Sequence, residues 1–520
     1  RQSTHGVLSN GNLDIRQTAT NWAMYRSTMF VSSGKWYWEV TIGNNQYTTI
    51  GICSDVYQMA SGSNNWANAS SEMFGYYPYD GNVYNGSNTI SYATGDTSAS
   101  GSIVGVALDM DNGTLTFYKD GTSLGQATSG LTGKNVSPTH WLYSQTGADS
   151  YNFGQRPFAY TPPTGHLSLC TTNLPDPTIA DGSTAMDVVT YTGNGSTQTI
   201  SGLDFSPDLV WIKNRAAADS HKLTDTVRGA TKELESNTTA AEATNADGLT
   251  AFNSDGFNLG DDDEYNTNTE TYAAWAWDAG SSTVSNTDGD VTSSVRANAT
   301  AGFSIVKWTN NGNNTPSSHR VGHGLGVVPD VVITKRINNT GDWAVYSEVF
   351  NNPVRDELYL NTTGAISTAG VDLYHRDSTT FGIRAGSIGS NGDSHIAYCI
   401  SSVSGYSAVG TFEGTGTSDG AFVFTNFRPS FLMWKNMDSA GFNWGIIDST
   451  RGPINYLSRT LNPNATNVES GRTTADAFDF LSNGFKVRAS GSNARNQSGS
   501  TFFWLAFAEN PFQANGGLAR

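Results

Sequence analysis

The sequence predicts an all-β protein in which one β-sandwich is followed by three repeated antiparallel β-sandwich modules. Three observations predict this fold class. Short segments of alternating apolar and polar residues recur along the chain, separated by loops rich in Gly, Asn and Ser. No long helical period interrupts them in the N-terminal part. In the C-terminal part a set of landmarks occurs three times, as expected of a repeat architecture.

Length and composition limit the possible functions. A chain of 520 residues is long enough for several domains, and its net charge of −17 argues against nucleic acid as a partner, because phosphate binding needs clustered Lys and Arg. No stretch is apolar enough to predict insertion into a membrane. Cys53, Cys170 and Cys399 are too far apart for a zinc spacing and are predicted to be buried thiols. No cofactor is predicted.

Residues 107–121, ALDMDNGTLTFYKDG, predict a β-hairpin near the middle of the N-terminal part. With Asn112-Gly113 as a two-residue loop, the apolar side chains share one face, in the pairs Met110 with Leu115 and Leu108 with Phe117. A calcium site would need more oxygen ligands than Asp109 and Asp111 offer, so we predict a turn and no metal.

A second strand is predicted in GKWYWEVTI, residues 34–42. Period-two alternation places one set of side chains on one face and the other set on the opposite face. The first set is Trp36, Trp38, Val40 and Ile42, and the second is Tyr37, Glu39 and Thr41.

Five motifs in the N-terminal part occur in the order seen in SPRY domains, and residues 1–160 resemble that family. The motifs are GKWYWEV (34–40), IGI (50–52), GYYPYDGNVYN (75–85), VGVALDMDNGTLTFYKDGTSLG (104–125) and NFGQRPF (152–158). The resemblance implies a concanavalin-like double-sheet sandwich that recognises partners through loops at one edge and has no catalytic residues of its own.

Loop aromatics are the candidate binding residues of this domain, because large amphipathic rings suit contacts with a glycan or a peptide. The candidates are Trp66, Tyr76, Tyr77, Tyr79 and Tyr84. The alternative for the tyrosines is a framework role, since GYY and YN belong to the family pattern itself.

The C-terminal part contains three copies of one module, after a Pro- and Gly-containing linker at 161–186. The predicted modules cover 187–282, 283–404 and 405–520. Their landmarks are an opening proline, a lysine six residues later, and a phenylalanine further on: Pro207, Pro329 and Pro429; Lys213, Lys335 and Lys435; Phe257, Phe381 and Phe485. Each copy ends in an apolar strand, and we expect the modules to follow one another as rigid sandwiches on a string.

The repeats resemble modules of tailed-bacteriophage tail fibres, particularly in residues 191–215 and 323–336. This resemblance implies a structural and recognition component of a virion, located on its surface and extracellular when it functions. The implied partners are other virion proteins and a host-surface glycan or protein. A homo-oligomer is also implied, with the trimer usual for tail fibres. The alternatives are a cellular adhesin or extracellular filament subunit and, third, a polysaccharide depolymerase.

The residues that could serve catalysis or metal binding have simpler structural explanations, and we predict no enzyme. Arg228 and Arg451, in DTVRG and DSTRG, are predicted to pair with nearby carboxylates or carbonyls. His319 and His323 lack further ligands for zinc. The acidic stretch DDDEY at 261–265 is predicted to be a solvated loop. The only helix considered lies at residues 230–243.

Overall fold

The computed structural model describes residues 6–18, 20, 22–43, 48–54, 72–85, 88–93, 99–143, 147–313, 315–384, 389–471, 478–490 and 494–511. The chain divides into two compact units between Pro175 and Asp176, inside the segment predicted as a linker. Nearly all regular structure is antiparallel β-sheet, so the predicted all-β fold class is confirmed. No helix among the described residues is long and apolar enough to cross a membrane.

The first unit contains fourteen described strands. They are β1 (Gly6–Ser9), β2 (Asp14–Gln17), β3 (Ala23–Arg26), β4 (Lys35–Thr41), β5 (Thr48–Ser54), β6 (Met73–Tyr77), β7 (Asn82–Asn85), β8 (Asn88–Ile90), β9 (Ile103–Asp109), β10 (Thr114–Lys119), β11 (Thr122–Thr128), β12 (Val136–Leu142), β13 (Asp149–Asn152) and β14 (Leu167–Ser168). One sheet has the order β1-β2-β13-β4-β9-β10-β11, with β14 beside β4, and the other has the order β3-β12-β5-β6-β7-β8.

Strand β4 is buried on both faces rather than on one. Trp36, Trp38 and Val40 lie in the core of the sandwich, as the alternation predicted. Tyr37 and Glu39, on the opposite face, are also buried. The chain at 158–160 covers that face, because the backbone N–H groups of Ala159 and Tyr160 both donate to the Glu39 carboxylate at 2.9 Å.

The hairpin at 107–121 forms, but its predicted two-residue loop is wrong. Asp109 pairs with Thr114 and Leu108 with Leu115, so four residues, 110–113, make the turn. The register differs by two residues from the prediction. Because side chains alternate with a period of two, the apolar residues still share the buried face.

The second unit contains the three modules. The first has β15 (Met186–Thr192), β16 (Gln198–Ser201), β17 (Leu209–Asn214), β18 (Lys222–Asp225), β19 (Lys232–Glu235), β20 (Ala243–Thr244), β21 (Leu249–Asn253), β22 (Gly256–Leu259), helix α1 (Asp263–Asn266) and β23 (Thr271–Trp277). The second has β24 (Val284–Asn286), β25 (Ser293–Asn298), β26 (Phe303–Thr309), β27 (Arg320–Gly322), β28 (Val331–Arg336), β29 (Trp343–Ser347), β30 (Asp356–Tyr359), β31 (Ser367–Thr368), β32 (Tyr374–Arg376), β33 (Thr380–Ile383) and β34 (Ser394–Ile400). The third has β35 (Ser407–Glu413), β36 (Phe422–Phe424), β37 (Phe427–Asn436), β38 (Gly445–Asp448), β39 (Phe478–Leu481), β40 (Gly484–Val487) and β41 (Thr501–Pro511).

Each module combines one larger sheet with one three-stranded sheet. The larger sheets have the orders β15-β23-β17-β18-β19-β20, β24-β25-β26-β34-β28-β29-β30-β31 and β35-β41-β37-β38. The small sheets have the orders β16-β22-β21, β27-β33-β32 and β36-β40-β39. The repeated phenylalanines lie on the central strands of the small sheets and are fully buried.

The opening strand of each repeat lies inside the larger sheet and is buried on both faces, which explains its uninterrupted apolar run. In the first module Val210 and Ile212 face the small sheet. Leu209 and Trp211 face the other way, into a hydrophobic core built from residues of all three modules. The three modules therefore form one compact unit with a shared core rather than a string.

Hydrogen bonds from tryptophan side chains join the modules in pairs. In the second module Trp343 Nε1 donates to the backbone oxygen of Glu235 in the first module at 2.8 Å. In the third module Trp444 Nε1 donates to the backbone oxygen of Tyr359 in the second module at 3.0 Å. Trp275 of the first module donates to Asp448 of the third module at 3.0 Å. Every module thus contacts both others, and the arrangement is closed.

The repeated lysines bind backbone carbonyls in the interior. Lys213 donates to the oxygen of Ala217 at 3.0 Å, Lys335 to that of Gly341 at 2.6 Å and Lys435 to that of Phe442 at 2.9 Å. Burial lowers the pKa of each ammonium group to about 8. The lysine that marks each repeat therefore tethers the loop after its opening strand.

The prediction of a helix at 230–243 is wrong. Residues 232–235 form β19, which pairs with β18, and 243–244 form β20. The local Glu, Lys and Ala content permits a helix, but the segment has no apolar stripe, and pairing of β19 with β18 buries Leu234. Within residues 261–265, predicted as a solvated loop, residues 263–265 lie in α1, whose first turn is capped by the Asp262 carboxylate.

Candidate partner-binding surface

A tight turn between β6 and β7 presents the tyrosines of the first unit. Tyr77 pairs with Asn82, so Pro78, Tyr79, Asp80 and Gly81 form the turn. Proline suits an early turn position because its φ is already fixed near −65°. Gly81 has a φ of 74°, which glycine adopts without strain.

Asp80 holds this turn rigid. One of its carboxylate oxygens accepts the backbone N–H of Asn82 at 2.9 Å, and the other accepts the hydroxyl of Tyr84 at 2.6 Å. Burial and this hydrogen bond raise the pKa of Tyr84 to about 12. Tyr84 therefore remains protonated at neutral pH and clamps the turn to β7.

The aromatic rings form a cluster with one projecting member. The ring of Tyr77 lies 5.8 Å from that of Tyr79 and 6.1 Å from that of Tyr84. Tyr79 is 47% exposed, whereas Tyr84 is only 9% exposed. Beyond β7, the adjacent edge strand β8 is exposed along its length. We name the surface of Tyr77, Tyr79 and Tyr84 the tyrosine hairpin.

One of the five predicted binding residues, Tyr76, does not belong to this surface. Tyr76 is fully buried, with its ring 5.3 Å from that of Phe117, so a binding role for it is wrong and it is a framework residue. Alternation explains this, because Tyr76 and Tyr77 point to opposite faces of β6. Trp66 lies outside the described residues.

A buried polar group that linear sequence reasoning missed lies in the same unit. His140 Nε2 is 2.8 Å from Asp149 Oδ2 and 2.9 Å from Thr48 Oγ1. The side chains are those of a nucleophile, a base and an orienting carboxylate, but Thr48 and Asp149 contact the same ring nitrogen, whereas a catalytic histidine uses one nitrogen for each. All three side chains are at most 1% exposed, so no substrate reaches Thr48, and the group links β5, β12 and β13. The residues are too far apart in the sequence for spacing to reveal the group.

The carboxylates in the hairpin at 107–121 form ion pairs or hydrogen bonds with other groups of the protein. Asp109 forms an ion pair with Lys35 at 2.7 Å, and hydrogen bonds from Asn112 help to lower the pKa of Asp109 to about 2. Asp111 accepts the backbone N–H of Gly34 at 2.7 Å. Both side chains thus fasten the turn to the start of β4.

Three glutamates in the first module are the cluster of described residues whose geometry suits a metal ion: Glu233, Glu235 and Glu264. The ammonium group of Lys222 already lies among them, within 3.1 Å of a carboxylate oxygen of each. Lys222 is 2% exposed, so its charge balances the cluster from inside the protein.

The two arginines pair as the sequence predicted. Arg228 Nε is 2.5 Å from Asp225, and Arg451 Nε is 2.6 Å from Asp448. Both pairs are buried. The second module, which lacks the motif, has the buried residue Phe350 at the arginine position, packed 5.7 Å from Phe503 of the third module.

His319 and His323 are both buried and have separate partners. His319 Nε2 accepts the indole N–H of Trp308 at 3.2 Å, and His323 Nδ1 accepts the backbone N–H of Leu325 at 3.2 Å. Burial lowers the pKa of both imidazoles, which keeps them neutral. The pair therefore serves two local hydrogen-bond networks.

Two family models match the chain. The model described as "SPRY domain" matches residues 35–156, which supports the resemblance drawn from the five motifs. The model described as "Domain of unknown function (DUF7483)" matches residues 181–511, which contain nearly all the described strands of the three modules.

The curated relatives match the SPRY part. "Ran-binding proteins 9/10 homolog" of Drosophila melanogaster is 31% identical over 132 residues, which are 25% of this chain and 13% of that protein. Ran-binding protein 9 of Xenopus tropicalis is 31% identical over 163 residues, 29% of each chain. Human Ran-binding protein 9 is 29% identical over 163 residues, 29% of this chain and 22% of that protein. The match spans less than a third of each relative.

Solved SPRY structures are similar to the chain over a comparable share. The SPRY domain of human HERC1 covers 30% of this chain and 97% of its own, with 21% identity and a TM-score of 0.26. A human SPRY domain covers 30% of this chain and 98% of its own, with 14% identity and a TM-score of 0.24.

These relatives overturn the prediction of a bacteriophage virion component. The matched Ran-binding proteins are cellular proteins, so the tail-fibre function and the virion and extracellular location are wrong. The repeats match a family whose description assigns no function, and their resemblance to tail-fibre modules is not supported. The motifs that carried this resemblance are short and lie in a Gly-, Ser- and Asn-rich sequence. Motifs of that kind do not identify a function, because one β-fold can serve many unrelated functions.

Proposed function

Because the chain belongs to the family described as a domain of unknown function (DUF7483) and carries an N-terminal SPRY domain, we propose that it is a non-catalytic protein-binding molecule. Its SPRY domain holds a partner protein through the tyrosine hairpin. The partner class is protein, because the matched relatives are named for binding Ran and the surface is aromatic and neutral. The acidic charge of the chain argues against nucleic acid.

The observation that carries this proposal is the exposed ring of Tyr79 on a preorganised turn. Tyrosine is enriched at the energetic centres of interfaces because it offers a large contact area with few rotatable bonds. Here the Asp80 carboxylate and the neighbouring rings fix the turn before any partner arrives. Binding therefore costs little ordering of the surface.

Site-specific photocrosslinking tests the surface. Benzoylphenylalanine placed at position 79 is compared with the same group at Leu167, which is 50% exposed in the same unit. We expect one protein to be captured from a lysate of the source cells at position 79 and not at position 167. The relatives are named for binding Ran, so purified Ran is the first partner to assay directly.

The affinity of the chain for the captured protein then tests the role of Tyr79. We expect Tyr79→Ala to weaken binding about tenfold or more, since a central interface aromatic contributes on the order of 2 kcal/mol. Leu167→Ala is the matched control and leaves the affinity unchanged. Equal capture at both positions, or an unchanged affinity of Tyr79→Ala, contradicts the proposal.

We further propose that the chain forms a homo-oligomer. Sedimentation equilibrium of the full chain measures it directly. A trimer would present three tyrosine hairpins and raise the avidity for a multivalent partner, whereas a monomer restricts the chain to a single SPRY contact.

A further inference from the structure

Strand β15 is an end strand of its sheet, although its counterpart in the second module is not. β15 pairs with β23 through Met186 and Trp277, and β26 pairs with β34 through the equivalent residues Phe303 and Ile400. The outer side of β26 is covered by β25. Among the described residues, no strand covers the corresponding side of β15.

The covering strand β25 supplies a cation to the junction of the first and second modules. Arg296 on β25 pairs with Ile305 on β26, and its Nε lies 2.6 Å from Oδ1 of Asp208 in the first module. Asp208 is fully buried. An added strand and one arginine thus complete this junction.

The equivalent place beside β15 is a cavity of about 290 Å³ between the third and first modules. Ser430, which follows Pro429, stands where Asp208 follows Pro207 in the first module. The polar side chains that line the cavity are Ser183, Asp187, Arg428, Ser430, Ser449, Thr450 and Glu509. A volume of this size accommodates an arginine side chain together with water.

The cavity has an uncompensated carboxylate. Oδ1 of Asp187 accepts the backbone N–H of Val188 at 2.7 Å, and no described residue donates to Oδ2. Burial and the neighbouring carboxylates of Asp204 and Asp181 raise the pKa of Asp187 to about 6. Arg428 is already paired with Glu509 at 3.0 Å, so the cavity retains a negative charge at neutral pH.

The same hydrogen bond shows which way the backbone donors on the edge of β15 point. The Val188 N–H points away from β23, because it is held by a side chain rather than by the neighbouring strand. In an antiparallel strand the N–H two residues on, at Thr190, has the same direction. Thr190 is exposed. An incoming strand opposite Val188 could therefore pair with β15 through these backbone donors. In the second module β25 pairs with β26 in this way, with Arg296 opposite Ile305.

We propose that the free edge of β15 and this cavity form a docking site for an extended segment of a partner protein that carries an arginine. The segment adds to the sheet as β25 adds to β26. Its arginine enters the cavity beside Asp187, where a planar guanidinium can bind the carboxylate with two hydrogen bonds. The site is independent of the tyrosine hairpin, so its failure leaves the proposed function standing.

The sequence of β25 provides the probe. A fluorescent peptide of residues 292–299, TSSVRANA, is titrated with the full chain and followed by fluorescence polarisation. We expect saturable binding that Asp187→Asn weakens at least fivefold. Asp204→Asn, which removes the same charge from an exposed neighbour outside the cavity lining, changes the affinity less than twofold.

Two further variants separate the arginine contact from the strand contact. The peptide carrying Arg296→Gln binds the unaltered chain at least fivefold more weakly, and it loses nothing further with Asp187→Asn. Thr190→Pro removes an outward N–H and abolishes binding of the peptide, although an edge strand tolerates proline there. Peptide binding that is indifferent to Asp187→Asn, or no binding at all, overturns the proposal.

Thermal unfolding of the same samples excludes a folding defect. The Asp187 pKa is higher in the folded than in the unfolded chain, so ionisation of this carboxyl opposes folding increasingly above about pH 4, and the cost is complete above about pH 6. We expect Asp187→Asn to raise the melting temperature at pH 8, with the gain vanishing below about pH 4. A lower melting temperature at pH 8 would make Asp187 a structural residue and overturn the proposal. So would a dimer of the peptide-free chain that Thr190→Pro dissociates, because the edge would then serve a second copy.

Discussion

At the scale of single residues, His395 illustrates how the interior of the repeats depends on pH. It is fully buried on β34, and its ring stacks on Trp308 with the centroids 5.1 Å apart. Burial lowers its pKa to about 3, with a smaller contribution from Arg336 that the carboxylate of Asp393 opposes. The unfolded chain binds a proton near pH 6.5, whereas the folded chain does not. Stability therefore falls as the pH falls below about 6.5.

We expect His395→Phe to remove this loss. Phenylalanine keeps the stacking on Trp308 and has no proton to gain, so the variant gains about 3 kcal/mol relative to the unaltered chain between pH 7.5 and pH 4.5. Urea unfolding at the two pH values measures the difference. His375→Phe is the control, because His375 is only partly buried and lies 3.3 Å from Asp377. The same gain in both variants, or none in His395→Phe, contradicts the argument.

At the scale of elements, the buried turn after β38 connects two modules. Arg451 lies with its guanidinium carbon 5.3 Å from the ring centre of Trp275, and Asp448 accepts hydrogen bonds from both residues. The ion pair itself was predicted from the DSTRG motif. Its contact with a strand of another module was not, because nothing local in the sequence records which distant strand packs against a turn.

Removing one member of this pair should cost more than neutralising both. Arg451→Met leaves the Asp448 carboxylate buried without its cation, and we expect a loss of about 3 to 5 kcal/mol in the free energy of unfolding. The double variant Asp448→Asn/Arg451→Met retains an acceptor for Trp275 and buries no charge, so it should be more stable than the single variant. Denaturant unfolding of both variants measures this, and a double variant less stable than the single one would refute the assignment.

Element type could be predicted from the sequence wherever alternation and burial agreed. Strands β4, β9 and β10 and the three opening strands of the repeats followed from their apolar patterns. The predicted hairpin loop is two residues too short. Asn112 binds the Asp109 side chain, and of the two predicted loop residues only Gly113 has a positive φ. The site was harder to predict. Alternation separates buried Tyr76 from Tyr77, but the clasp by Asp80 and the cavity at Asp187 arise only from tertiary contacts.

At the scale of the whole molecule, the second unit owes its stability to a core shared by three modules. Trp343 shows the coupling: it is fully buried, donates to Glu235 of the first module and lies 6.3 Å from the ring of Tyr398. It also lines a small apolar cavity of about 30 Å³ to which all three modules contribute side chains. A defect at this position therefore reaches every module.

We expect Trp343→Ala to destabilise all three modules together, because it leaves a large void in the shared core and a carbonyl without its donor. The expected loss is about 3 to 5 kcal/mol. Native-state hydrogen exchange of β23, β34 and β41 measures it, since each 1.4 kcal/mol of opening free energy is a tenfold change in protection. Val354→Ala, at a 42% exposed position of the second module, is the control and should leave protection unchanged. If β41 keeps its protection in Trp343→Ala while β34 loses it, the modules fold separately and the shared core does not bind them into one cooperative unit.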